Sequence, residues 1–372
     1  MGKRMKNENQ MTKLQMITFL LQTQIGVAFL SLPFDIHKYA KGDSWISLLL
    51  TGFFMEILVI FYLILCHRFP NQHLFQILES IFGKAAGKCF TLLYIGYFLL
   101  TGSTIIVLFV YILKKWMLPY TPYWVIVFLM VIMGIYIAIE NLNVIARFYF
   151  IATFILFLFI VIPPIAFKDG NFHFIMPIGY SGMTNIIKGA AHATLAWQGM
   201  ETFLLIAPFV MATAKEKAKA VTLANVLITF FYSFLTFICL IYFSNDEIRL
   251  LPQPVLYLLK SFSFKIIERP DLIIISFWII LVGTSFISYL YGASFASVYL
   301  FKKRTRKPFV YGAACICFFF ALFFNGEDKM EKLTKYTTYT GFIFLIAIPV
   351  FLLVISLLFK KRQKGEVNEE NY

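Results

Sequence analysis

The segment Gln24-Ile25-Gly26-Val27-Ala28-Phe29-Leu30-Ser31-Leu32-Pro33 breaks an apolar run of membrane length at a glycine and closes on a proline. A second segment, Gln198-Gly199-Met200-Glu201-Thr202-Phe203-Leu204-Leu205-Ile206-Ala207-Pro208, repeats the pattern far along the chain. Interrupted helices at corresponding places in two halves point to a binding site at the membrane midplane, between opposed repeats.

Composition sets the environment. The chain is 60% hydrophobic and 14% charged, with 44 Phe and a mean hydropathy of +0.78. Soluble domains hold about 45–50% apolar and about 25% charged residues. The chain therefore reads as an all-α integral membrane protein whose partner is the lipid bilayer. Its net charge of +14 does not mark a nucleic-acid binder, which gathers its basic residues on one face. Here Lys and Arg stand in short clusters between apolar runs, as the positive-inside bias produces. Cys66, Cys89, Cys239, Cys315 and Cys317 fall in or beside apolar segments and read as packing residues. The basic start (Lys3, Arg4, Lys6, Lys13) lacks a small-residue cleavage site, so no cleavable signal is expected.

A hydrocarbon core of about 30 Å takes about 20 helical residues to cross. On that measure ten transmembrane helices are expected in a single polytopic domain, 1–372. They lie near 12–33, 44–66, 88–113, 121–139, 147–167, 186–211, 220–243, 271–301, 308–324 and 337–359. The stretch 244–270 is the longest connector and suggests a short interfacial helix. Ten spans divide as five plus five, and an odd number per half forces the second half to enter in the opposite sense. The glycine breaks then fall in spans 1 and 6, the first of each half of an inverted repeat. The clusters Lys302-Lys303-Arg304-Thr305-Arg306-Lys307 and Lys360-Lys361-Arg362 place both termini in the cytoplasm.

In lipid a helix breaks only where protein or ligand meets the freed backbone groups. A break at Gly26 leaves the amides of Val27, Ala28 and Phe29 at the start of an outer half-helix, suited to an anionic group such as a carboxylate. The carbonyls around Trp197-Gln198-Gly199 suit a cation or ammonium. With Met200 and Glu201 these residues frame an amino-acid-like pocket. Alone, either glycine equally allows plain close packing of helices. Glu201 is the side chain of most interest, since a carboxylate in the bilayer costs about 2.5–3.5 kcal/mol on insertion scales and marks a functional site by default. Its place after Gly199 also allows a plain helix-capping role. Glu56, in span 2, must face the bundle and find a partner. His192 lies seven residues before Gly199 and, like most lone histidines in spans, reads as a packed residue. Tyr97, beside Tyr94, Gly96 and Gly102, is a candidate lining residue. Span 8 is rich in hydroxyls (Thr284, Ser285, Ser288, Ser294, Ser297), and Ser285 is the candidate contact to the pocket. No phosphate loop, nucleophile elbow or His-Glu-x-x-His set is present, so neither an enzyme nor a resident metal or cofactor is expected.

These residues resemble the spore germination permease family, the B subunits of nutrient germinant receptors, relatives of the amino acid–polyamine–organocation transporters. The likeness runs through Gln24-x-Gly26 to Leu30-Ser31-Leu32-Pro33, and Ile81-Phe82-Gly83-Lys84 to Gly87-Lys88. It continues in Gly199-Met200-Glu201-Thr202 with Pro208-Phe209, and in Glu268-Arg269-Pro270-Asp271 with Trp278, the most family-specific of them. Two positions depart: Ala28 stands where a second glycine is usual, and Pro270 is the third residue of the Glu-Arg motif. The resemblance implies a leucine-transporter-like fold in which span 8 lies against the break of span 1, where a sodium site is conceivable. It implies a receptor in the inner membrane of the endospore, assembled with an A subunit and a lipoprotein C subunit. A nutrient germinant (amino acid, nucleoside or sugar) would bind this subunit and trigger germination. The alternative is an amino-acid symporter driven by protons or sodium.

Overall fold

The computed structural model describes residues 10–262 and 270–362; Glu268 and Arg269 of the family-specific motif lie outside the described residues. Helices are the regular structure of those residues, joined by one isolated bridge between Met11 and Val210. Six helical stretches are long and apolar enough to cross a membrane: Leu32–Arg68, Lys84–Trp116, Leu142–Lys168, Ala214–Tyr242, Pro270–Leu300 and Glu327–Leu358. Two shorter apolar helices, Tyr123–Ala138 and Lys307–Phe323, accompany them. The chain is a multi-pass membrane protein.

The first broken element is α1 (Lys13–Gln24), a short 3-10 turn at Ala28–Leu30, and α2 (Leu32–Ala40). Thr12 and Gln15 close a capping box at the start of α1. Span 1 is expected to end near residue 33, yet the structure continues to Ala40. Pro33 sits in the first turn of α2, where its missing N–H removes no helical bond, so it opens a helix rather than closing one. α3 (Ser44–Arg68) follows, then α4 (Leu74–Phe82), a short amphipathic helix in what the span lengths leave as a connector. α5 (Lys84–Trp116) and α6 (Tyr123–Ala138) form the next pair. After them α7 (Leu142–Ala152) tightens through a 3-10 turn into α8 (Leu156–Val161).

The second broken element is α9 (Met183–Ala193), a 3-10 turn at Thr194–Trp197, and α10 (Thr202–Ile206). α11 (Ala214–Tyr242) opens on a Thr213–Glu216 capping box. The connector 244–270 contains two short helices, α12 (Asn245–Ile248) and α13 (Pro254–Ser261). The chain ends with α14 (Pro270–Leu300), α15 (Lys307–Phe323) and α16 (Glu327–Gly341). A π segment, Phe342–Ala347, then leads into α17 (Ile348–Leu358).

Burial sorts these helices. The most apolar windows of α5, α11 and α14 are each 67% buried, whereas that of Leu142–Lys168 is 28% buried. The first three therefore form the centre, and the last lies at the periphery with its Phe154, Phe157 and Val161 exposed. α5 runs along α14, α11 along α3 and α1, and α9 along α2 and α3, so both broken elements are enclosed by the central helices.

Candidate functional site

At the first break the backbone stops hydrogen-bonding along itself and is met from outside. Ile25 N still donates to Leu21 O, and Gly26 N turns back to Gln24 O at 3.0 Å. Three of the freed carbonyls have a donor from another helix. Ser285 Oγ donates to Gln22 O at 2.9 Å, Tyr232 OH to Gln24 O at 2.9 Å, and Trp278 Nε1 to Gly26 O at 3.1 Å. Gly26 is required by this closeness: a Cβ there would lie 2.4 Å from Ser285 Oγ and 2.9 Å from Ser285 Cβ. Val27 and Phe29 are buried and Ala28 is half-buried. The Phe29 ring packs edge-on against Phe159 and Phe231. Three hydroxyls of α14 are hydrogen-bonded to the first broken element. Thr284 Oγ1 donates to Gln22 Oε1 at 2.7 Å, and Ser288 Oγ pairs with Thr23 Oγ1 at 2.7 Å and with Tyr149 OH at 2.8 Å.

The second break turns on Gly199, whose φ of +111° is a conformation that L side chains rarely adopt. A Cβ there would also lie 2.7 Å from Thr23 Cγ2 and 3.1 Å from Gln24 Cγ. This glycine is thus where the two breaks touch. Glu201 is fully buried. Its Oε2 accepts from Gly199 N at 2.8 Å and its Oε1 from Tyr97 OH at 2.8 Å. The carboxylate therefore reaches back into the break and across to α5. It makes no capping bond to the amides ahead of it in α10. Met200 is fully buried, and half-buried Gln198 donates from Nε2 to Thr337 O at 3.0 Å on α16.

Two side chains tie the breaks into one structure. Tyr232 OH reaches Ala196 O at 3.1 Å as well as Gln24 O, bridging the broken elements with one hydroxyl. Trp197 donates from Nε1 to Asn225 Oδ1 at 3.0 Å, with its ring edge-on to Tyr232. Asn225 Nδ2 in turn lies 2.9 Å from Glu56 Oε2 and 3.0 Å from Gly52 O, while Thr222 Oγ1 donates to Glu56 Oε1 at 2.5 Å. The partner that Glu56 requires is the polar face of α11, and through it Glu56 is linked to the second break.

Several members carry no mark in the sequence. Gln24 Oε1 is buried beside Gly199 with no hydrogen-bond partner among the described residues, although its Nε2 donates to Leu20 O at 3.1 Å. The Tyr97 ring stacks on Phe344 of the π segment at 4.6 Å, and the carbonyls of that segment accept from Tyr62 and Tyr94. A π insertion frees carbonyls as a glycine break does, but no residue type announces it. Tyr232 and Asn225 sit in an amphipathic helix as ordinary polar residues, with no local signal. His192 does not share the buried face of Gly199. It is exposed and stacks on Tyr39 at 4.1 Å.

The ends of the broken elements are also held. Met11 N donates to Phe209 O and Met211 N to Met11 O, which joins the start of α1 to the end of the second broken element. At the opposite end the Asp43 carboxylate accepts from Gly179 N and Ser181 N at 2.7 and 2.9 Å.

Comparison with known proteins agrees with this architecture. The family described as "Spore germination protein" matches residues 10–330. Spore germination protein GerQB of Bacillus cereus is 27% identical over 94% of this chain and 96% of its own length. Spore germination protein YndE of Bacillus subtilis (strain 168) is 25% identical over 96% of this chain and 98% of its own length. Among solved structures, a Na+-coupled sialic acid symporter in a substrate-bound outward-open state superposes with a TM-score of 0.65 at 13% identity, covering 92% of this chain and 80% of that one. A nucleobase-cation-symport-1 family transporter in a closed conformation gives 0.66 at 12% identity, covering 97% and 81%. At such identities the likeness shows the fold alone, one shared with transporters.

Proposed function

The chain belongs to the spore germination protein family, and from that premise we propose that it is the B subunit of a germinant receptor, binding a small nutrient between its two broken helices. The observation that carries this reading is the bridge made by Tyr232, whose hydroxyl reaches Gln24 O and Ala196 O and brings both breaks to one place. Around that point stand buried Glu201 and the unpartnered Gln24 Oε1, both acceptors for a ligand N–H or ammonium. An unmatched buried acceptor costs about 1–3 kcal/mol, a cost that a ligand donor would remove on binding.

In the same reading the ten expected spans form two opposed groups of five. α1–α2 and α9–α10 are the first spans of each group, and both termini face the cytoplasm. The protein sits in the inner membrane of the spore, in a complex with A-type and C-type subunits. Gly26, Val27, Ala28 and Phe29 provide the backbone side of the pocket. Trp197, Gln198, Gly199, Met200 and Glu201 provide the other side, with Tyr97 and Ser285 fixing the two walls. A receptor of this kind needs only different ligand affinities in two conformations and need not complete a transport cycle.

The test is germination of spores carrying Glu201→Gln, with the chain accumulating to the wild-type level. Response to one nutrient is expected to be lost or weakened severalfold. An unchanged response to a full nutrient panel contradicts the site. Ionophore-sensitive uptake of that nutrient by proteoliposomes would move the reading to a symporter.

A further inference from the structure

A cavity of about 480 Å³ opens away from the breaks, at the C-terminal end of α5. Its wall is built by α5 (Val107, Tyr111, Lys114, Lys115), the first turn of α6 (Tyr123) and the junction of α15 with α16 (Phe324 to Glu327, and Met330). The volume falls in the range of about 300–1,000 Å³ typical of small-molecule sites. Lys114 lies 17 residues beyond Tyr97 on one helix, a rise of roughly 25 Å, so this cavity is separate from the midplane.

The chemistry of the lining is specific. Val107, Phe324 and Met330 give an apolar wall. Half-buried Lys114 has no hydrogen bond or ion pair among the described residues, so its ammonium is available to an anion. Glu327 accepts from Tyr111 OH at 3.1 Å through Oε1, which leaves Oε2 for a second donor. Tyr123 donates to Ala321 O at 3.1 Å, which holds its ring in the wall. The second lysine of the lining, Lys115, lies over the Tyr111 ring at 5.9 Å, so Lys114, the Glu327 carboxylate and the apolar wall match a molecule with the opposite charges and an apolar body.

We propose that this cavity is a second ligand site, which takes a free apolar amino acid with its carboxylate on Lys114 and its ammonium on Glu327. The site does not depend on the midplane pocket. It gives the receptor a second point at which the same class of nutrient, or a different member of it, shifts the balance of conformations.

The test uses the full chain in lipid nanodiscs, with binding read as the ligand-dependent rise in unfolding temperature. Three probes of one shape are compared: L-leucine, 4-methylpentanoate (no ammonium) and 3-methylbutylamine (no carboxylate). L-Leucine is expected to bind more tightly than either. Lys114→Met should weaken L-leucine and 4-methylpentanoate by about tenfold or more and leave the amine unchanged, because loss of a charged hydrogen bond costs that much. Glu327→Gln should weaken L-leucine and the amine and leave 4-methylpentanoate unchanged. The same binding should persist in a Glu201→Gln background, which separates this site from the midplane one. No L-leucine binding up to about 20 mM, or equal binding in wild type and Lys114→Met, overturns the proposal.

Discussion

The two breaks solve one problem in different ways. At the first, the freed carbonyls of Gln22, Gln24 and Gly26 are met by neutral donors from two other helices: Ser285 and Trp278 of α14, and Tyr232 of α11. At the second, a carboxylate of the broken segment itself, Glu201, folds back onto Gly199 N, with one further bond from Tyr97. The first break is held by the scaffold, so its shape is set before any ligand arrives. The second is held in part by the scaffold, through Tyr232 to Ala196 O and Trp197 to Asn225, and in part by its own carboxyl group, so some of its shape depends on what that group faces. A sensor is expected to carry this asymmetry: one fixed wall against which binding is measured, and one wall that answers.

The largest effect in this comparison is expected at Gly199, where φ is +111° and Thr23 is in the way. Gly199→Ala adds backbone strain of about 1–3 kcal/mol and a clash on top of it. Thermal unfolding in detergent should show a larger drop for Gly199→Ala than for Gly26→Ala, Tyr232→Phe or Asn225→Ala. Gly26→Ala collides with Ser285 Oγ and Cβ but adds no positive-φ strain; a drop as large as that of Gly199→Ala would break the distinction between the walls.

Tyr232→Phe removes the donor shared by both breaks, which takes from Ala196 O its donor and leaves Gln24 O with the bond from Gly26 N, at about 1–3 kcal/mol for an unmatched carbonyl. Tyr97→Phe removes one bond, to Glu201 alone. Unfolding temperatures should fall further for Tyr232→Phe, whereas nutrient affinity should respond more to Tyr97→Phe. The opposite ranking would assign sensing to the first break.

Asn225→Ala separates Trp197 from Glu56. The expected loss is about 1–3 kcal/mol of stability, visible as a lower unfolding temperature. Replacing Glu56 by Gln should cost less, since an amide still accepts from Thr222.

A separate effect concerns acid. His73, before α4, is enclosed by Phe75, Phe295 and Tyr299, and neither ring nitrogen has a partner among the described residues. Burial lowers its pKa from the usual 6.5 to about 3. Between those values the unfolded chain takes up a proton that the folded chain refuses, so stability contributed by neutral His73 is complete above pH 6.5 and declines as pH falls towards 3. His73→Phe should lose less stability than wild type between pH 6.5 and 4, as read by unfolding temperature across that range.

How far the sequence speaks depends on the kind of signal. Glycine within an apolar run is a backbone signal that survives without context, and Gly26 and Gly199 are legible for that reason. Pro33 reads as an end in the sequence because a proline can close one helix or open the next, and only the register of Leu32–Ala40 decides. The helix α4 is hidden by its length of 9 residues, too short for a span, although His73 and Gln76 stand at its start with cap spacing. Glu201 is legible as an unusual charge, but its partners are not. Tyr97 is one of 20 Tyr in the chain, and Tyr232, Asn225 and Gln24 come together only through packing of α1, α9 and α11. Long-range hydrogen bonds of this kind leave no spacing to read.

The central claim, that both breaks frame a single ligand, is tested most directly by a double-mutant cycle in nutrient affinity. The nutrient is the one that a panel identifies as failing on spores lacking this chain, and the substitutions are Ala28→Gly and Glu201→Gln, alone and together. If one ligand spans both breaks, the effects are expected to depart from additivity by more than about 0.5 kcal/mol. Additivity within about 0.3 kcal/mol would show that the breaks act on separate events and would contradict the account.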